Sequence, residues 1–141
     1  MNRLILFTFV VTSCFGLNAA FFFDMFPCPS NEVIITNDLG PGLVLQYHCH
    51  SRDDNLGVQH LQYNDTKRIK FGDKIGKRTR WTCLLKHGIR MQFYREFIAY
   101  RMANVRRCNA MRHWYARKDG IYINRNQRPP PVFIYPWNTT K

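Results

Sequence analysis

Acidic side chains are scarce in this chain of 141 residues, where 9 Asp and Glu stand against 21 Lys and Arg and the formal net charge is +12. The shortage excludes sites built from clustered carboxylates. No Asp or Glu lies at a ligand spacing around His48, His50, His60, His87 or His113. The adjacent Asp53-Asp54 fall short of the roughly six to eight oxygens that Ca²⁺ takes, and with Asn55 and Gly57 they read as turn chemistry. Cys-x-x-Cys pairs are missing too, which disfavours a zinc site. There is no internal repeat and no low-complexity stretch, and the length excludes a multidomain enzyme. With 45% hydrophobic and 15% aromatic residues the chain is not disordered over most of its length, and it is expected to form one core.

The long apolar run is confined to the start, MNRLILFTFVVTSCFGLNAA, where Arg3 precedes Leu4 to Val11 and small or polar residues end at Ala19 and Ala20. That order is the signature of a secretory signal peptide, assigned to residues 1–20. Thr8, Thr12, Ser13 and Asn18 interrupt what would have to cross about 30 Å of hydrocarbon, so no membrane insertion is expected after processing. Cleavage removes Cys14 and leaves Cys28, Cys49, Cys83 and Cys108. On an oxidising route, four widely spaced cysteines predict two disulfides among three connectivities. The sequons Asn64-Asp65-Thr66 and Asn138-Thr139-Thr140 mark Asn64 and Asn138 as glycosylation acceptors on the same route.

Between Glu32 and Ile123 short β-prone segments alternate with turn residues, which predicts an all-β fold, a small antiparallel sandwich stabilised by disulfides. In Leu43 to His50, Leu43, Leu45, Tyr47 and Cys49 share one face and His48 and His50 the other. Trp81, Cys83 and Leu85 alternate in the same way. Both half-cystines therefore sit on apolar strand faces, which leaves open a bridge between facing sheets. Met91 to Arg101 fits a strand or a helical stripe and is assigned as a strand. Asp119-Gly120 between Trp114-Tyr115 and Ile121-Tyr122-Ile123 predicts a hairpin. Pro129, Pro130 and Pro131 exclude helix and central strand, so residues 124–141 are assigned as a Pro-rich tail to a domain spanning residues 21–123.

The stretch Asn31 to Gly57 resembles the opening of the plant self-incompatibility protein family, the S-protein homologues, at Asn37, Leu39, Leu45, His48, Cys49, Ser51, Asp53, Asp54, Leu56 and Gly57. Trp81-Thr82-Cys83 is similar to the family's second cysteine strand, Phe93 to Arg101 to its aromatic strand, and Cys108, Trp114 and Lys118 to Tyr122 to its closing hairpin. Members often carry a further cysteine where this chain has Arg112, and Cys28 is an addition, so the pairing stays open. The resemblance implies a secreted β-sandwich with no catalytic residues, cofactor or metal, acting as an extracellular signal read by a plasma-membrane receptor on a target cell.

Lys67, Arg68, Lys70, Lys74, Lys77, Arg78 and Arg80 stand against Asp73 alone, and Arg101, Arg106, Arg107, Arg112, Arg117 and Lys118 form a second basic group. Contiguous groups of this kind speed encounter with an acidic surface. Lys67, Arg68, Lys74, Lys77 and Arg78 are the expected receptor contacts. Outside the cell the available counterparts are an acidic receptor face or an anionic cell-wall polysaccharide; nucleic acid is not among them. The enzyme alternative is a secreted cationic hydrolase of ribonuclease type, with histidines shuttling a proton, and a cationic antimicrobial protein is the other.

Overall fold

β-Branched and aromatic residues recur at short intervals from residue 31, and in the computed structural model, which describes residues 27–74, 76 and 78–141, those stretches are strands. The signal-peptide assignment at residues 1–20 lies outside the described residues, as do residues 21–26 and Lys77. The strands are β1 (Asn31–Asn37), β2 (Leu45–His50), β3 (Asn55–Leu61), β4 (Thr66–Phe71), β5 (Arg80–His87), β6 (Phe93–Arg101), β7 (Met111–Arg117), β8 (Gly120–Arg125), β9 (Val132–Tyr135) and β10 (Asn138–Thr139). Two five-stranded sheets result, in the orders β4-β1-β7-β8-β9 and β10-β6-β5-β2-β3.

The expected all-β sandwich is what forms. Val33 and Ile35 of β1 and Trp114, Ala116, Ile121 and Ile123 of β7 and β8 face Leu45, Tyr47, Trp81, Leu85 and Phe97 of the second sheet in one core. Trp114 ties the layers together. Its ring lies 4.5 Å from that of Phe97 between centroids, and its indole N–H donates to the Ala99 carbonyl at 3.1 Å, so the buried donor is satisfied. The ambiguous stretch after Met91 is the strand β6, preceded by a short 3-10 turn at Ile89–Met91.

The disulfides join Cys28 to Cys108 and Cys49 to Cys83. Cys49 and Cys83 are register partners on neighbouring strands of one sheet, with Cα atoms 4.1 Å apart, so the bridge runs within a sheet and not between facing sheets. That spacing is close to the ~4.5 Å of a non-hydrogen-bonded antiparallel pair, where side chains approach nearest. The other bridge fastens the segment ahead of β1 to the connection between β6 and β7.

The segment assigned as a tail is built into both sheets. β8 runs to Arg125, β9 pairs with β8, and β10 pairs with β6 through Asn138↔Tyr94 and Thr139↔Phe93. The prolines restrict only the turn between β8 and β9. Beyond them Tyr135 stands 5.7 Å from Phe97 between ring centroids, and Trp137 donates its indole N–H to the Arg117 carbonyl at 2.7 Å. Gly120 makes room for this return. A Cβ there would meet the Phe133 ring and lie 2.5 Å from the Tyr135 carbonyl oxygen. The hairpin expected at Asp119-Gly120 forms, with Arg117 paired to Gly120 across a turn of Lys118 and Asp119.

Candidate functional site

Three connections converge at one end of the second sheet: the β2–β3 turn, the stretch between β4 and β5, and the connection leaving β6. The turn is fixed locally. Ser51 N–H donates to the Asp54 carbonyl at 2.7 Å, and its hydroxyl accepts from the Asp54 N–H at 3.1 Å. The other two connections are held to each other, because the Met102 N–H donates to the Thr79 carbonyl at 2.8 Å.

Beneath them lies a buried polar knot. Tyr100 donates its hydroxyl to Asp73 at 2.9 Å, and the Arg107 N–H donates to the same carboxylate at 2.8 Å. Asn31 donates to the Tyr100 oxygen at 3.3 Å and to the Arg107 carbonyl at 3.1 Å, and accepts from the Ala110 N–H at 2.9 Å. Burial, and then the hydrogen bond to Asp73, push the Tyr100 hydroxyl well above its ordinary pKa, so it remains a donor. Every member has a partner, which is the condition under which a buried network rigidifies its surroundings.

Held in this way, the connections enclose a cleft of about 980 Å³ whose lining includes Arg52, Arg78, Arg80 and Arg101 together with His50 and Thr82. Register explains the convergence. Arg80 pairs with Arg101 across β5 and β6, and His50 pairs with Thr82 across β2 and β5. Arg80 and Arg101 therefore stand directly opposite each other, a destabilising arrangement for like charges. Among the described residues these four arginines form no ion pair and no side-chain hydrogen bond. Four cations elsewhere are matched: Arg68 and Lys70 by Glu32, Lys74 by Asp53, and Arg117 by Asp38.

The expected receptor contacts are thus dispersed. Lys67 and Arg68 lie on β4, at the edge of the other sheet, with Arg68 3.0 Å from Glu32. Lys74 is 2.8 Å from Asp53, and that hydrogen bond raises its pKa. Of the four among the described residues, Arg78 alone lines the cleft; Lys77 lies outside them. Arg52 was hidden in a stretch that reads as a turn, and Arg80 and Arg101 belonged to separate basic groups in the sequence. No sequence signal joins them; the β2-β5-β6 register does.

The histidines do not assemble. His48 and His50 are 5.9 Å apart between ring centroids, and His48 is engaged by Asn55 at 2.7 Å. His60 is exposed on β3. His87 is buried between Phe93 and Trp137, and His113 lies between Thr36 and Tyr115. Burial holds both below the ordinary imidazole pKa, with Arg68 adding to the effect at His113. Among the described residues no group of three or more His, Cys, Asp or Glu is placed to hold a metal ion. The sequon asparagines are both exposed, Asn64 at the β3–β4 turn and Asn138 in β10.

Against known proteins, the profile of plant self-incompatibility protein S1 matches residues 32–137. S-protein homolog 14 of Arabidopsis thaliana is 68% identical over the full length of both chains. S-protein homolog 25 of the same plant is 38% identical over 98% of each. A solved structure of a self-incompatibility protein homologue, described as one of a widespread family of small, highly stable, secreted plant proteins, superposes with a TM-score of 0.67. It is 41% identical, covering 79% of this chain and 97% of that one.

Proposed function

Because this chain belongs to the plant self-incompatibility protein S1 family, whose members are small secreted plant proteins, we propose that it is an extracellular signalling ligand read by a plasma-membrane receptor on a target cell. Its mechanism is recognition, with no bond made or broken. The observation that supports this reading most is the set of four unmatched arginines at one end of a doubly bridged sandwich. Uncompensated charge at one end of the molecule hastens docking onto an acidic face, and the effect fades with salt. Arg78, from the segment expected to touch the receptor, borders this end.

The test is binding of labelled, secreted protein to intact target cells. Saturable binding is expected, with association at least ~10-fold slower for the Arg52→Glu/Arg78→Glu variant at low salt. An unchanged association rate removes this end from the receptor contact, and non-saturable binding removes the receptor. Glycans at Asn64 and Asn138 accompany the secretory route. Mass loss in the secreted Asn64→Gln and Asn138→Gln variants reports occupancy of each.

A further inference from the structure

We infer that the arginine-lined cleft is a binding site for a carboxylated polysaccharide chain, a polyuronate. Four guanidinium groups converge there, none of them in an ion pair among the described residues although Asp53 and Asp54 border the adjoining groove, and each is a planar fork suited to a carboxylate. The direct opposition of Arg80 and Arg101 is a cost in the free protein that an anion seated between them would relieve. Size excludes a lone small anion as the whole occupant, since about 980 Å³ lies at the upper end of ligand clefts and admits several units of a chain.

The lining between the arginines selects sugar over polypeptide. His50, Ser51, Thr82 and Asn104 offer the side-chain donors and acceptors that hydroxyl groups need. Among the described residues the apolar contributions are Met102 and Ala103, with none of the Trp or Tyr anchors on which protein interfaces concentrate their affinity. A partner with regularly repeated carboxylates and many hydroxyls fits; an apolar-anchored peptide does not. The inference concerns the cleft's own ligand and stands whether or not a receptor reads the protein.

The experiment is titration of the intact secreted protein with size-defined oligogalacturonate. Saturable, salt-sensitive binding is expected, weakened ~30-fold or more in Arg80→Gln/Arg101→Gln and less than ~3-fold in Arg125→Gln/Arg128→Gln, which removes the same charge elsewhere. Equal weakening by both variants, or no binding by the wild type, overturns the site. Poly-glutamate binding as tightly as oligogalacturonate also overturns it, in favour of an acidic polypeptide. Arg101→Gln alone keeps or raises the melting temperature while weakening binding, because it removes a like-charge pair. Arg78→Gln, outside the strands, gives a second reading if the double variant does not fold. Cell binding separates the two proposals. Saturable binding that survives while oligogalacturonate fails to bind overturns this inference and leaves the receptor. Binding abolished by digesting surface polyuronate supports this inference and dismisses the receptor.

Discussion

Asn37→Asp changes one atom of a fully buried side chain, and its consequence can be worked from the bonds that side chain makes. Asn37 Nδ2 donates to the Leu43 carbonyl at 2.7 Å and the Leu61 carbonyl at 2.9 Å, and Oδ1 accepts from the Leu39 N–H at 3.0 Å. One side chain thus pins the β1–β2 connection to the end of β3. Aspartate keeps the acceptor, loses both donors and turns an anionic oxygen toward two carbonyls. Each buried acceptor left unpaired costs about 1–3 kcal/mol, so the pair costs roughly 2–6 kcal/mol at neutral pH. For a domain of this size that lowers the melting temperature by roughly 8–25 °C. The loss depends on pH. Burial and the facing carbonyls raise the new carboxyl above the ordinary ~3.9, and once protonated in the folded state it regains one donor. The deficit against wild type therefore narrows as pH falls through that raised value toward ~4. Asn37→Ala loses all three bonds and has no such dependence. Thermal melts of the three proteins across pH 7 to 4 decide it. An Asn37→Asp protein melting within about 1 °C of wild type at pH 7, or a deficit that acid leaves unchanged, refutes the argument.

Mild reductant opens Cys28–Cys108 first, because Cys108 is exposed while Cys49 and Cys83 are fully buried; alkylation and mass mapping under native conditions check the order. Cys28→Ser/Cys108→Ser releases a bridge of sequence separation 80 and lowers unfolding free energy by up to about 4.5 kcal/mol in the chain-entropy model. Tyr100→Phe deprives Asp73 of a hydroxyl donor and lowers the denaturant midpoint by the equivalent of about 1.5–3 kcal/mol with an unchanged slope. Trp137→Ala removes the ring 4.4 Å from His87 and the bond to Arg117, so trypsin cuts faster at the exposed Arg125, which precedes Asn126; an unchanged rate dismisses that role. The folded-state pKa of His87 is depressed, so its contribution is complete above the unfolded value of about 6.5 and is lost as pH falls below it. His87→Phe flattens the decline of stability over that range, and His113 carries the remainder.

The strands around Cys49 and Cys83 were legible because strict alternation with period two carries its own geometry, but their pairing within one sheet was not. The Asp119-Gly120 hairpin was legible because turn chemistry is local. The cleft was not, since its arginines come from separate stretches of chain and meet only through a register that no local pattern encodes. Asp73 looked like a lone acid relieving a basic run, yet it is a buried acceptor whose donors, Tyr100 and Arg107, lie far along the chain. The C-terminal strands were missed because the three prolines drew attention away from Val132 to Trp137. Their alternation was too short to stand against that signal, and only the open flank of the core beside Phe97 gives it meaning.

The parallel pairing of β1 with β7, Glu32 opposite Met111, orders events in time as well as space. A ribosome delivers the two partners at opposite ends of synthesis, so the first sheet has no neighbour for one side of Val33, Ile34 and Ile35 until almost the whole polypeptide has entered the secretory lumen. Truncation that removes β1 or β7 should therefore yield misfolded material and not a smaller working domain.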